Sequence, residues 1–408
     1  MTDAPLPVED IVANALCIGC GLCQSLAGDG RLRLEMTAEG RERPHVLQDI
    51  DVDLLGRINA VCPGLVVVGP EQADDPIWGR AARLAIGHAG EPEIRHMAAT
   101  GGVLTALAVF LLETGKVDFV LHVAPRQDRP MRWAPKVSRT RTEVLAGSGS
   151  RYGPAAPLTG FMDLLDQGRP FAVVAKPCDI GAIANLARID ARVDELVRFR
   201  LVMVCGGASE FGKTLDLIVE HGLSEDDVAA LRYRGYGNPG PTTIDTHDGR
   251  RFTHTYKEMW EDEGTWQLQN RCKICPDAIG ELADIAALDV WPGGNPVGED
   301  DGFNGIIART PAGAALLEEA VAAGALVITG DMSFRDLDDY QPHQVRKKRA
   351  VHDRLRGIAD AGAPVPRFDN LRLAELAEDS DAETRQRSRD GMRQRIENGR
   401  AREPVPGA

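Results

Sequence analysis

Apolar residues in this chain recur in two rhythms, and from Arg80 onward the two alternate. Leu84–His88 reads as a strand, Val103–Glu113 as a helix ended by Gly115, and Val117–Val123 as a second strand of branched apolar residues. Phe171–Ala175 is a short run suited to a buried strand, Ile180–Leu186 starts a helix, and Arg198–Val204 is a strand running straight into Cys205. These repeating units predict a mixed α/β core over residues 80–365. Thr242–Thr255 alternates with a period of two around Asp248-Gly249, the pattern of a hairpin expected to decorate the sheet.

Before residue 80 the apolar signal is thin. Residues 1–75 are too few for a deep core, Glu39-Gly40-Arg41 marks a hairpin turn, and Pro70–Pro76 is a Pro/Asp-rich exit. A bound metal group is expected to staple such a module together. After residue 366 Glu, Asp, Arg and Gln dominate and the chain closes on Arg-Glu-Pro-Val-Pro-Gly-Ala, so 366–408 reads as a solvated charged helix and then a disordered tail. The chain contains no internal repeat.

Composition narrows the partners. Of 408 residues 43% are apolar, enough to fill ordinary cores, yet the longest apolar run, Val103–Leu112, is too short to cross a bilayer. With 47 basic against 61 acidic residues the net charge is −14, which argues against nucleic-acid binding and for small-molecule or protein partners. The first ten residues have no basic segment followed by an apolar one, so reduced thiols and a cytoplasmic location are expected.

The eight cysteines fall into two sets of four. Cys17, Cys20 and Cys23 stand in Cys-Ile-Gly-Cys-Gly-Leu-Cys, and Cys62 is followed by Pro63. In a two-cluster bacterial ferredoxin a C-x2-C-x2-C run holds one cluster together with the remote cysteine of a Cys-Pro pair, so this is half of a ferredoxin. Ala27-Gly28 stands where the cysteine of the second cluster would be. A four-thiolate zinc site is the alternative, although structural zinc favours paired C-x2-C knuckles; a disulfide framework suits the reduced setting less. Cys178 and Cys205 each follow a strand. If those strands are parallel neighbours, their carboxyl ends bring both thiols to the usual ligand edge of an α/β sheet, where Cys272 and Cys275 could close a second site. Two buried core thiols, or zinc, remain open readings for this set.

The order Ala-Thr-Gly-Gly-Val (99–103), Lys-Pro-Cys-Asp-Ile (176–180), Val-Cys-Gly-Gly (204–207), Arg-Gly-Tyr-Gly-Asn-Pro-Gly (234–240), Arg-Cys-Lys-Ile-Cys (271–275) and Glu-Leu-Ala-Asp-Ile (281–285) resembles the coenzyme F420 hydrogenase/dehydrogenase beta-subunit family across most of the chain. That resemblance implies an iron–sulfur flavoprotein: a half-ferredoxin module followed by an α/β core carrying FAD and a second 4Fe-4S cluster. It further implies that Cys178, Cys205, Cys272 and Cys275 are the core ligands, and that Cys17, Cys20, Cys23 and Cys62 hold the additional cluster of single-chain members. The family's usual Gly-Asp after Ala-Asp-Ile is replaced here by Leu288-Asp289, followed by Val290-Trp291, which bears on the pocket wall.

Two glycine-rich turns are candidates for the flavin. Thr100, Gly101 and Gly102 open the helix from Val103, where Thr100 could cap and free N–H groups suit a pyrophosphate. Ser150 and Arg151 lie in Gly-Ser-Gly-Ser-Arg-Tyr-Gly-Pro (147–154) and could hold phosphate or ribityl oxygens, while Tyr152 could stack or donate a proton. Lys176 is a candidate to offset the charge of a reduced flavin. Gln344–Arg349 is basic and suits an acidic ferredoxin, a substrate carboxylate or, by default, a solvated helical face; His343 and His352 beside it have no assigned role.

The reading that follows is an oxidoreductase in which electrons pass through two clusters to FAD and on to an organic substrate. Ferredoxin-dependent reduction of a conjugated small molecule, with tetrapyrroles as the family precedent, is the first expectation, with ferredoxin or another redox protein as donor. A deazaflavin-handling subunit of a hydrogenase- or formate dehydrogenase-like complex is the second, and a non-enzymatic electron carrier or redox sensor the third. The sequence leaves room for a homo-oligomer.

Overall fold

The short apolar runs become strands of a large mixed sheet in the computed structural model, which describes residues 4–407. In the amino-terminal module β1 (Leu32–Met36) and β2 (Glu42–Val46) form a hairpin, and β3 (Val66–Val68) follows. Next come β4 (Arg83–Ala89), β5 (Phe119–Pro125), β6 (Trp133–Ser138), β7 (Phe171–Ala175) and β8 (Val197–Met203). β9 (Val228–Arg232), β10 (Thr242–Thr246) and β11 (Arg251–His254) make a separate three-stranded antiparallel sheet. β12 (Ile285–Asp289), β13 (Asn304–Ala308) and β14 (Leu326–Asp331) complete the eight-stranded sheet, and β15 (Arg367–Asp369) pairs in parallel with β3.

The main sheet runs β14-β4-β13-β12-β8-β7-β5-β6. Its centre, β12-β8-β7-β5, is parallel, and the outer pairs are antiparallel. Parallel strands covered on both faces need apolar residues at successive positions, which is why Phe171–Ala175 carries no polar residue. Phe119 and Phe171 lie opposite each other on β5 and β7 with rings stacked 4.8 Å apart, a pair worth about 1 kcal/mol beyond its buried area. The helix Val103–Glu113 buries most of its length against the sheet, and Gly102 before it adopts φ +77°, which favours glycine. The carboxyl ends of β7, β8 and β12 therefore share one edge.

Three expectations are revised. The hairpin Thr242–Thr255 has the expected turn, but it pairs with β9 in its own sheet. Residues after 366 are not a solvated helix with a disordered tail: helix Ala382–Glu397 buries Met392 against helix Pro342–Asp360, and Glu403 is buried against Arg43 of the amino-terminal hairpin. The basic run 344–349 is not one solvated face either, because Lys348 is buried in an ion pair with Glu281 and Gln344 is buried as well. Among the described residues no helix is long and apolar enough to cross a membrane.

Candidate functional site

Cys178 follows β7 and Cys205 follows β8, and these strands are adjacent and parallel with Ala175 opposite Val202. Pro177 opens the helix Pro177–Ala187, where its missing N–H is no loss, and that places Cys178 in the first turn. The Cys205 loop is fixed by Cys205 N–H donating to Ala278 O at 2.8 Å. The single-turn helix Asn270–Lys273 then brings Cys272 and Cys275 to the same pocket, whose walls also include Lys176, Lys347, Arg271, Ile18 and Pro63. Ala208 N–H donates to Cys272 Sγ at 3.3 Å. Burial pushes the Cys178 and Cys275 thiols up and takes Cys205 to about 11; neighbouring thiols add to this at all three, while Lys176, Lys347 or Arg271 oppose it.

The second quartet lies beside the first. Cys17, Cys20, Cys23 and Cys62 are all raised by burial, Cys62 to about 11, and their sulfurs face one another closely enough to repel when charged. Backbone N–H groups of Gly19, Leu22, Gln24, Gly64 and Leu65 point at these sulfurs and favour their anionic forms, Gly19 N lying 3.3 Å from Cys17 Sγ. Gly64 is required here, since a Cβ would stand 2.4 Å from Leu16 O and 3.3 Å from Cys62 Sγ. The loops are tied to the core by Leu158 N–H donating to Cys20 O at 2.9 Å and Asn185 Nδ2 donating to Val66 O at 2.9 Å.

Among the described residues no three His, Cys, Asp or Glu side chains close around a point that a single metal ion could occupy. Four convergent thiols with amide and cationic counterparts are a donor set that fits an iron–sulfur cluster.

One step along the same edge, at the end of β12, Asp289 pairs with Arg234, Nη2 to Oδ1 at 3.0 Å and Nη1 to Oδ2 at 3.1 Å. The Arg234 guanidinium lies 4.8 Å from the Trp291 ring centre and 5.4 Å from that of Tyr256. Burial opposes its charge, but Asp289 outweighs that and holds it above the ordinary arginine range. Tyr152 joins this group from the other glycine-rich loop, its ring 4.4 Å from Trp260 and 5.3 Å from Tyr233. Around this group Trp133 Nε1, Ser148 Oγ, Arg151 Nε, Trp260 Nε1 and Trp291 Nε1 are buried without a hydrogen-bond partner. A set of unused donors beside aromatic rings fits a planar, acceptor-rich group such as a flavin.

The candidates are therefore brought together in two places. Thr100 and Tyr152 meet at Arg234, whereas Lys176 sits at the core quartet, bonded to Asp179 at 2.6 Å and held charged against burial by Asp179 and Cys178. Thr100 does not cap its helix. Its hydroxyl donates to Asp289 Oδ1 at 2.6 Å, and the N–H of Val103 is taken by Asn304 Oδ1 at 3.2 Å. Gly101 is small because Asn304 N would lie 2.9 Å from a Cβ. Arg151 bonds the carbonyls of Ser148 and Ser150 at 3.0 Å each, so it first shapes its own loop; burial lowers its guanidinium to about 10. The helix from Pro342 joins the two places: Gln341 Nε2 donates to Asp289 O at 2.8 Å and Gln344 Nε2 to Cys205 O at 2.9 Å. Arg234, Tyr256 and Arg271 are functional candidates that the sequence did not single out, and Asp289 and Trp291 were marked only as bearing on the pocket wall. Arg234 and Arg271 lead two of the motifs quoted above, and that was their only signal.

The chain is similar to proteins of one known family. Models of the family "Coenzyme F420 hydrogenase/dehydrogenase, beta subunit" match residues 85–162 (N-term) and 168–331 (C terminus). These ranges hold the core quartet, Thr100, Lys176 and Arg234, and Cys17, Cys20, Cys23 and Cys62 lie outside them. The chain is 28% identical over 259 residues to the coenzyme F420 hydrogenase subunit beta of Methanosarcina barkeri, covering 62% of this chain and 82% of that protein. It is 26% identical over 298 residues to the subunit of the same name from Methanococcus voltae, covering 68% and 95%. It is 28% identical over 239 residues to the F420-dependent formate dehydrogenase 1 subunit beta of Methanococcus maripaludis, covering 58% of each. A chain of the F420-reducing NiFe hydrogenase complex from Methanosarcina barkeri shares the fold, with a TM-score of 0.51 and 23% identity over 69% of this chain and 96% of that one.

Proposed function

This chain belongs to the coenzyme F420 hydrogenase/dehydrogenase beta-subunit family, and from that premise we propose that it is an electron-transferring oxidoreductase subunit working with a deazaflavin of the F420 type. In this reading both cysteine quartets hold 4Fe-4S clusters and the surroundings of Arg234 hold FAD. The observation that carries it is the shared sheet edge: Cys178 and Cys205 follow β7 and β8, and Asp289 ends β12, the next parallel strand. When bound, clusters exchange single electrons and a flavin exchanges one or two, so the pair joins one-electron partners to a hydride carrier.

The residues supply binding, charge and exclusion of water. Lys176, Lys347 and Arg271 offset the negative charge of the core quartet, and the amides of the amino-terminal loops do the same for the other. Arg234, fixed by Asp289, presents a planar cation toward acceptor oxygens or nitrogens, while Tyr152, Trp260 and Trp291 provide ring faces. Tyr152 is the candidate proton donor and Lys176 the charge-compensating group. The relatives above bear F420 in their names, so ferredoxin-dependent reduction of a tetrapyrrole, the first expectation from sequence, gives way to the deazaflavin reading. Their designation as beta subunits supports a redox partner chain here too.

Anaerobic purification followed by iron and flavin analysis, then electron exchange between reduced F420 and a viologen dye, tests the proposal. About eight irons per chain, bound FAD and F420-dependent dye reduction are expected. Absence of flavin, about four irons or fewer, or inertness toward F420 would sink it.

A further inference from the structure

One guanidinium joins the two quartets. Arg271 is buried and lines the core-quartet pocket, and its two terminal nitrogens reach in different directions. Nη2 donates at 2.7 Å to the carbonyl of Pro63, the residue after Cys62 of the amino-terminal quartet. Nη1 donates at 3.2 Å to the carbonyl of Ile274, the residue before Cys275 of the core quartet. Its flat face rests on Phe368 at 4.8 Å, and Nε is buried with no partner at all. Lys176 and Lys347 also line the core pocket, but their recorded bonds go to Asp179 and to Gly206 O, both on the core side. No carboxylate lies within ion-pair distance of Arg271 among the described residues, although buried Asp277 lines the same pocket.

We propose that Arg271 is a positioning residue for electron transfer: a single buried cation shared by both quartets, which sets the reduction potentials of the two groups together. This rests on the cluster reading above. In the step concerned one electron leaves one group as the other gains it, and no bond is made or broken. A fixed positive charge stabilises the reduced, more negative form of each group, and in a low-dielectric interior it does so over several ångströms. Glutamine keeps a donor and loses the charge; lysine keeps the charge and loses the two-armed reach.

The test is an anaerobic redox titration followed by electron paramagnetic resonance on the full chain and its Arg271→Gln and Arg271→Lys variants, with iron counted in each. With iron retained, R271Q should make both groups harder to reduce by about tenfold in the one-electron equilibrium, a fall of 59 mV, and R271K should shift them less. Unchanged potentials in R271Q, a shift in only one group, an equal shift in R271K, or loss of iron in either variant overturns the proposal, the last because it would make Arg271 a structural post. Failure of the underlying reading looks different: the unmodified protein itself would lack two reducible iron–sulfur signals.

Discussion

Asp289 accepts from both terminal nitrogens of Arg234, at 3.0 and 3.1 Å, and also from the hydroxyl of Thr100 at 2.6 Å, so a single carboxylate ties two other segments of the chain to the end of β12. The Arg234 side chain is 4% exposed and Asp289 22%. Removing the arginine leaves a carboxylate in a half-dry site, and breaking such a pair costs about 3 kcal/mol. Arg234→Met should lower the urea-unfolding free energy by that amount and abolish flavin retention. Arg234→Lys, which keeps charge without the fork, should recover part of the stability and little of the flavin. Full flavin occupancy in Arg234→Met would remove Arg234 from the binding site.

Replacement of Cys178 by Ser separates the quartets. Iron should fall by about half while the amino-terminal group keeps its spectroscopic signature, because Cys17, Cys20, Cys23 and Cys62 face one another and not Cys178. Cys20→Ser should do the converse. An unchanged iron count in Cys178→Ser would return Cys178 to an ordinary buried thiol.

Local signals carried the strands and the helix bounded by Gly102 and Gly115, since a five-residue apolar run such as Phe171–Ala175 is the length of a strand and short for a helix. They also carried the amino-terminal quartet, whose spacing is itself a ligand pattern. The core quartet needed the fold: Cys178 and Cys205 meet only because β7 and β8 are parallel neighbours. The Arg234–Asp289 pair joins residues 55 apart, and nothing in either segment announces the other. Polar composition misled at the carboxyl end, where Glu403 is paired with Arg43 from 360 residues away, and in the basic run, where Lys348 has a buried carboxylate that charge counting does not reveal.

That distant pair predicts a role for the final segment. Arg43 Nε lies 2.5 Å from Glu403 Oε2, and Nη2 bonds Glu403 Oε1 at 3.0 Å and Gln269 Oε1 at 2.9 Å, close to both the hairpin and the Cys272 helix. Glu403→Gln leaves Arg43 buried with its charge unmatched and should cost about 3 kcal/mol. Ending the chain after Glu397 should do at least as much and should speed proteolysis within residues 30–50. Equal stability and equal protease resistance would make the segment a passive covering.

Glu42 gives a pH dependence whose sign can be fixed. Its Oε2 is buried without a partner, and burial pushes the carboxyl from 4.5 up to about 7 even though Lys176, Arg132, Arg43 and Arg126 pull it down. Between those two values the folded chain holds a proton that the unfolded chain releases, so stability falls as pH rises through the window. Below 4.5 both states are protonated and Glu42 contributes no penalty; above about 7 the penalty is complete. A rise from 4.5 to about 7, at about 1.36 kcal/mol per unit, amounts to roughly 3 kcal/mol. Glu42→Gln, uncharged at every pH, should therefore match the parent chain in urea unfolding at pH 4.5, exceed it by up to that amount at pH 8, and flatten the slope between. Parallel slopes for the two proteins would show that Glu42 ionises in the fold as easily as in the open chain.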